Sequence, residues 1–307
     1  MAQKVILDVD TGGDDAVAIL LAGHHPATEL VAVTVTHGNA PLVVTLDNTL
    51  KCVEHGGLRD VPVYAGAGRP LIADPAPLDP VQNRSLPLPA PTLRPQPGHA
   101  VDFLIDYYMR PDGPGTILVP TAPQTNIALA LLKEPRLAKR IPRIVTMAGA
   151  YLEGNVTPSA EFNIFADPEA ARIVFNSGIP ITMVGLEVTA QALVTLDDAA
   201  KLKALNTVQA KVAAEEIRAE VQWFMDTLGW TGGQIYDACA VAAVIDPGLL
   251  ETKPMHVEIE LTGQHTRGRT VADISGYQKK QPNADVGVSI DRARFMRVLF
   301  EGMRAGA

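Results

Sequence analysis

Asp8-Val9-Asp10-Thr11-Gly12-Gly13-Asp14-Asp15 places four carboxylates within eight residues. At this density mutual repulsion raises the pKa of several of the acids unless a cation neutralises them. A divalent metal does so most economically. The ligand atoms on offer are oxygens, and no Cys/His set has zinc spacing, so the pattern favours Ca²⁺ or Mg²⁺ over Zn²⁺. Helix capping competes as an explanation, because an Asp in a first turn satisfies free N–H groups and complements the dipole, while Gly-Gly serves a turn. Capping accounts for Asp14 or Asp15 and one more at most, not for four.

Such a loop needs a strand before it and a helix after it. Apolar runs of strand length occur at Val5–Val9, Leu30–Val35, Val61–Tyr64, Thr116–Pro120, Arg143–Met147 and Ile181–Gly185. Helical periods separate them at Asp14–His24, Pro41–His55, His99–Met109, Gln124–Lys133 and Pro168–Ser177. This alternation predicts βαβ units on a largely parallel α/β sheet, with the acids at the carboxyl edge of its first strand, where ligands sit in open α/β sheets. Beyond Gly185 the pattern changes. Asp197–Trp223 reads as long, helix-rich and mostly polar-faced, and Asp237–Ile245 as a buried helix. His256–Leu261, Thr270–Ile274 and Asp285–Ile290 read as strands, and Arg292–Met303 as a closing helix. With no clean linker, 1–307 is expected to be one domain: an α/β core over 1–185, a helical elaboration over 186–250, and terminal strands and helix over 251–307. Nine prolines between Arg69 and Gly98 exclude helix and nearly exclude strand there, leaving a long surface loop.

Composition narrows the function classes. The chain of 307 residues is 47% hydrophobic and 20% charged, which suits a packed core and excludes a disordered chain. The net charge of −8, without a Lys/Arg stripe, argues against a nucleic-acid partner. No apolar stretch reaches membrane-span length, and Met1-Ala2-Gln3-Lys4 passes directly into Val5-Ile6-Leu7, leaving no room for a signal segment. Two distant cysteines, Cys52 and Cys239, read as small buried apolar residues in a reducing compartment, so a cytoplasmic protein is expected.

The string from Asp8 through Ala16 resembles the N-terminal signature of the nucleoside hydrolases, which cleave the N-glycosidic bond of ribonucleosides. Haloacid-dehalogenase phosphatases share its start, with Asp8 as nucleophile and Asp10 as acid/base, but do not call for Asp14-Asp15. Further segments resemble the nucleoside hydrolases in order across most of the chain. They are Thr36-His37-Gly38-Asn39, Val119-Pro120-Thr121 through Thr125-Asn126-Ile127-Ala128, Met147-Ala148-Gly149 through Glu161-Phe162-Asn163 to Ala171, and Asp237-Ala238-Cys239-Ala240. The resemblance implies an open, mostly parallel, doubly wound Rossmann-like sheet with helices on both faces and a helical cap. It implies Ca²⁺ held by Asp10, Asp15, the carbonyl of Thr121 and Asp237. It implies ribose contacts from Asp14, Asn39, Met147, Asn155, Glu161, Phe162, Asn163 and Asp237. Asp10 is then the general base on a metal-bound water, with Asp14 and Tyr236 as further catalytic candidates. A small-molecule ribonucleoside partner, a role in purine or pyrimidine salvage and a homodimer or homotetramer also follow from the resemblance.

The departures fall on the base side. Where inosine–uridine enzymes place a leaving-group acid His just before the last metal Asp, this chain has Tyr236; where many relatives carry a His-Gly pair, it has Gln82-Asn83-Arg84-Ser85-Leu86. Two further readings keep the ribose machinery: action on a modified nucleoside or other N-riboside, and riboside binding without turnover. Trp223, Trp230 and Tyr236 are candidates to stack on a base. Trp223, inside a helical stretch, reads as core packing and Trp230, among glycines, as a rim residue. His37 is the one histidine placed near a candidate ligand, Asn39.

Overall fold

The computed structural model describes residues 2–72, 74, 84–113 and 115–304. Gln82 and Asn83 lie outside the described residues. Strands β1 (Gln3–Val9), β2 (Thr28–Val35), β3 (Val63–Ala65), β4 (Ile117–Pro120), β5 (Ile144–Met147) and β6 (Ile181–Val184) run parallel, close to where the apolar runs put them. β7 (Leu250–Met255) and β10 (Ala284–Ile290) extend the sheet to eight strands in the order β3-β2-β1-β4-β5-β6-β10-β7, with β7 antiparallel to β10. β8 (Val257–Ile259) and β9 (Thr270–Ala272) form a separate ribbon. The sequence expectation of a strand over His256–Leu261 is corrected at both ends: only Val257–Ile259 is strand, and β7 precedes it. β7 carries no apolar run because it is a half-exposed edge, where Pro254 is tolerated.

The helices are α1 (Gly13–His24), α2 (Leu42–His55), α3 (Ala100–Met109), α4 (Thr125–Lys133), α5 (Phe162–Ala166), α6 (Pro168–Phe175), α7 (Leu186–Thr189), α8 (Leu196–Lys203), α9 (Val208–Leu228), α10 (Tyr236–Ile245) and α11 (Arg292–Arg304). Alternation along β1 divides them. Val5, Leu7 and Val9 face a core shared with α1, α2, α9, α10 and α11, whereas Ile6 faces one shared with α3, α4 and α6. α1 is apolar on every side after its first turn, as a helix buried between the sheet and other helices must be. The stretch read as long and polar-faced is two helices, broken where Asn206 takes a positive φ of 60°. α9 also buries a full apolar stripe, including Ala210, Ile217 and Val221. Described residues 84–98 contain neither helix nor strand, as the proline density requires.

The chain leaves β1 for β2 and β3, then returns to place β4 on the other side of β1, so the strand order reverses between β1 and β4. The crevice at such a reversal is the ligand position of open α/β sheets. Asn126, fully buried on α4, ties the strand ends around it. Its amide nitrogen donates to Asp8 Oδ1 (2.8 Å) and Val35 O (3.2 Å), while its oxygen accepts from the Ala67 N–H (2.8 Å). Asn126→Ala would leave buried backbone groups and the Asp8 carboxyl short of partners, and urea unfolding is expected to register a loss of about 3 kcal/mol. A loss below about 0.5 kcal/mol would show that the tie is dispensable.

Candidate active site

The first turn of α1 carries Asp14 and Asp15, and the first turn of α10 carries Asp237. The two helix starts converge, so that one carboxylate oxygen from each of these three residues lies within 4.8 Å of the others, all buried. Asp15 closes α1 with a capping box, its Oδ2 accepting from the Gly12 N–H at 3.0 Å, and its Oδ1 accepts from the Thr121 hydroxyl at 2.9 Å. Asp10 lies beside them: Oδ2 accepts from the Asn39 N–H at 2.6 Å, and buried Oδ1 has no hydrogen-bond partner. Gly38 makes that contact possible, since a Cβ there would sit 1.9 Å from Asp10 Oδ2.

Burial and mutual repulsion dominate the electrostatics. Burial, then the Asp14 charge, pushes Asp15 up to about 7. Asp10 and Asp237 are raised far above the carboxylate range, first by burial and then by the neighbouring acids. Asp14 is raised as well, chiefly by burial, and its charge is the first of the neighbouring acids acting on Asp237. Among the described residues no Lys or Arg pairs with Asp10, Asp14, Asp15, Glu161 or Asp237. An all-oxygen cluster with an orphaned carboxylate oxygen and no resident cation fits a hard divalent metal.

Asp8 points away from this group. It is fully buried, with Oδ1 held by Thr34 and Asn126, and burial raises it to about 7. That placement removes the phosphatase alternative, which needs Asp8 exposed as a nucleophile. His37 is likewise tied elsewhere: its Nε2 meets the Thr125 hydroxyl at 3.1 Å, and burial lowers it to about 4, keeping it neutral.

A cavity of about 960 Å³ opens above the acids. Every sequence-predicted site residue except Asp10 and Asp15 lines it; those two lie beneath, in contact with Asn39. On one wall Glu161 caps α5, accepting from the N–H groups of Asn163, Ile164 and Gly149. The Asn163 amide donates to the carbonyls of Thr121 (3.0 Å) and Met147 (3.1 Å), joining the ends of β4 and β5. Asn155 accepts from the Phe162 N–H at 2.9 Å and hydrogen bonds the Tyr236 hydroxyl.

The opposite wall is aromatic. Phe224 stacks on Trp230 at 5.0 Å between centroids, meets Trp223 edge-on at 5.1 Å, and lies 6.3 Å from Tyr236. Trp230 is a rim residue, 38% exposed, as expected. Trp223 is not core: it is half-buried and lines the cavity, because the α9 stripe that packs inward ends at Val221 and Phe224. Burial, then the Asp14 charge, raises the Tyr236 hydroxyl far above its usual range, so it stays a phenol. Phe224, Glu187 and Arg269 also line the cavity and had no sequence signal; they reach it only through the packing of α7, α9 and β9.

A family described as inosine-uridine preferring nucleoside hydrolase matches residues 5–297. The chain belongs to this family. Pyrimidine-specific ribonucleoside hydrolase RihB of Escherichia coli (strain SE11) is 38% identical over 307 residues, covering 98% of this chain and 97% of the relative. Among solved structures, the purine-preferring ribonucleoside hydrolase from Gardnerella vaginalis superposes with a TM-score of 0.90 at 34% identity, over 98% of both chains. A plant nucleoside hydrolase gives 0.90 at 28% identity, covering 99% of this chain and 100% of that one. This nucleoside hydrolase is thus an enzyme that splits ribonucleosides into ribose and free base.

The acid cluster makes stability depend on cation and pH together. Folded-state carboxyls raised above their unfolded values hold extra protons between about pH 4 and 7, so the cation-free protein loses stability as pH rises through that window. A divalent cation relieves the same repulsion. Calorimetry with chelator and with excess Ca²⁺ is therefore expected to show a Tm increment from the ion that is larger at pH 8 than at pH 5; an equal increment would contradict the cluster's electrostatics.

Proposed function

We propose that this nucleoside hydrolase uses Asp10 as the general base toward the attacking water and holds Ca²⁺ through Asp10, Asp15, the Thr121 carbonyl and Asp237. The observation carrying this reading is Asp10 itself, fixed through one oxygen by the Asn39 N–H while its buried Oδ1 has no partner. Bound there, Ca²⁺ would neutralise the cluster, lower the pKa of an adjacent water and take up sugar hydroxyls. Asp14, Asn39 and Asp237 would grip the 2′,3′ edge of ribose, and Met147, Asn155, Glu161, Phe162 and Asn163 the rest of the sugar. A sugar lacking a hydroxyl would leave some of these groups unpaired, which selects ribonucleosides over deoxyribonucleosides.

Water attacks C1′ opposite the base as the C1′–N bond breaks, and the ring passes through an oxocarbenium-like state. The surrounding carboxylates stabilise that positive charge. The base departs toward Trp223, Phe224, Trp230 and Tyr236, whose faces would stack on either ring size. Tyr236 would serve the leaving base as a hydrogen-bond donor, since a phenol raised this far does not give up its proton near neutrality.

We infer one domain, because β10 inserts between β6 and the edge strand β7 and so makes the last third of the chain part of the central sheet. Among the described residues no helix is long and apolar enough to cross a membrane, and Cys52 and Cys239 are free and buried. Those features support the reading of a cytoplasmic enzyme of nucleoside salvage. A homodimer or homotetramer is proposed with it, on the family resemblance.

Asp10→Ala is expected to lower kcat at least about 100-fold in a ribose-release assay, the scale of a general base; near-native turnover would remove Asp10 from that role. Tyr236→Phe is expected to lower kcat about tenfold, the worth of one hydrogen bond of about 1.4 kcal/mol. Unchanged rates on uridine and inosine would make Tyr236 a packing residue.

A further inference from the structure

Arg84, Ser85 and Leu86 do not line the cavity; they are fastened beneath it. Asn48, fully buried on α2, donates from its amide nitrogen to the carbonyls of Thr11 (2.9 Å) and Arg84 (3.0 Å), and its oxygen accepts from the Leu86 N–H (2.8 Å). Lys51, one turn further along α2, donates to the Ser85 hydroxyl. Thr11 belongs to the loop that carries Asp10 and Asp14, so residues 84–86 are held in a fixed place relative to the acids. From there the Arg84 guanidinium reaches α9, its Nη2 donating to Oε2 of the buried Glu216 at 3.1 Å. The pair rests on bare backbone at the start of α1. A Cβ on Gly13 would stand 3.3 Å from both of those atoms and 2.9 Å from Glu220 Oε1.

Glu216, Glu220, Trp223 and Phe224 follow one another at i, i+4, i+7 and i+8, so the ion pair and the aromatic wall share a face of α9. At the rise of an α-helix they stand about 11 Å apart along its axis. Trp230 moves with them, since its N–H donates to the Phe224 carbonyl at 3.3 Å. The rest of α9 is held by buried Ala210, Ala213, Ala214, Ile217 and Val221. Burial of such small apolar groups draws the helix inward without direction, leaving its slide and rotation open. The ion pair is directional, and displacing it strands a buried carboxylate without its cation. We propose that Arg84 and Glu216 are positioning residues that fix α9 against the first turn of α1, and so set the distance from the acids to the aromatic wall and the ranking of one-ring against two-ring bases. The ranking rests on reading that wall as the base site; the positioning does not.

Trp223 and Trp230 are the two tryptophans of the chain and both stand on this wall, so tryptophan emission follows its position independently of turnover. The test uses the Ca²⁺-loaded enzyme, wild type against Arg84→Met, which keeps an apolar stem, and Arg84→Lys, which keeps the charge. In R84M the emission is expected to shift to the red and to be quenched more readily by acrylamide, while Ca²⁺ affinity stays at the wild-type value. The kcat/KM ratio of uridine to inosine is expected to change at least about threefold, mainly through KM, with R84K lying between R84M and wild type. If R84M does not fold, Glu216→Gln carries the same test with a smaller expected change. Emission and quenching that stay at wild-type values overturn the positioning role. So does a fall in Ca²⁺ affinity alongside the altered ratio, which marks a general loosening. A shifted emission with an unmoved ratio supports the positioning role and overturns the reading of the wall as the base site.

Discussion

Five carboxylates, Asp10, Asp14, Asp15, Glu161 and Asp237, are withdrawn from water within one small volume, and much of the molecule answers that constraint. Transfer of an isolated ionised carboxylate into an apolar interior is so costly that the group protonates instead. The chain meets the cost with backbone donors: Gly12 N–H on Asp15, Asn39 N–H on Asp10, and three amides on Glu161. Aiming α1 and α10 at the same point adds the positive ends of two helices. These donors do not suffice, and the raised pKa values of Asp10, Asp15 and Asp237 measure the remainder. A site so incomplete on its own is a site for a cation.

The same constraint explains why the layer beneath is polar and rigid. Asp8, Thr34 and Asn126 form a buried network under the loop, and Asn163 spans the carbonyls at the ends of β4 and β5. Thr34, Asn126 and Asn163 are each tied to backbone, so the acids above rest on strand ends with defined spacing. The reversal of strand order between β1 and β4 opens the crevice, and this network keeps its width fixed.

Most of the fold was legible because it rests on periodicity. Parallel strands buried on both faces read as continuous apolar runs, and β1 to β6 all do. The edge strand β7 escaped for the same reason in reverse: half-exposed and carrying Lys253 and Pro254, it has neither a run nor a clean alternation. The acid cluster was legible because three of its members sit in one loop, with like charge packed beyond what capping needs. Trp223 was misjudged because helical spacing cannot say where a helix face passes from core to cavity. Arg269 and Glu187 carried no local signal, since only the closure of β9 and α7 over the cavity gives them a position.

This difference in legibility parallels a difference in constraint. The acid end of the cavity is set by atoms that cannot move without breaking a strand end or a helix cap. The opposite end is built from α9, the turn at Gly229 and Tyr236, where aromatic faces are suited to stacking on a planar ring. Stacking supplies affinity with little discrimination, whereas a buried polar contact rejects a wrong partner strongly. Relatives at 38% and 34% identity are, by name, pyrimidine-specific and purine-preferring. A Tyr236 hydroxyl that remains protonated can donate a hydrogen bond at the aromatic wall but cannot supply charge, and the charges of the cavity lie at the acid cluster.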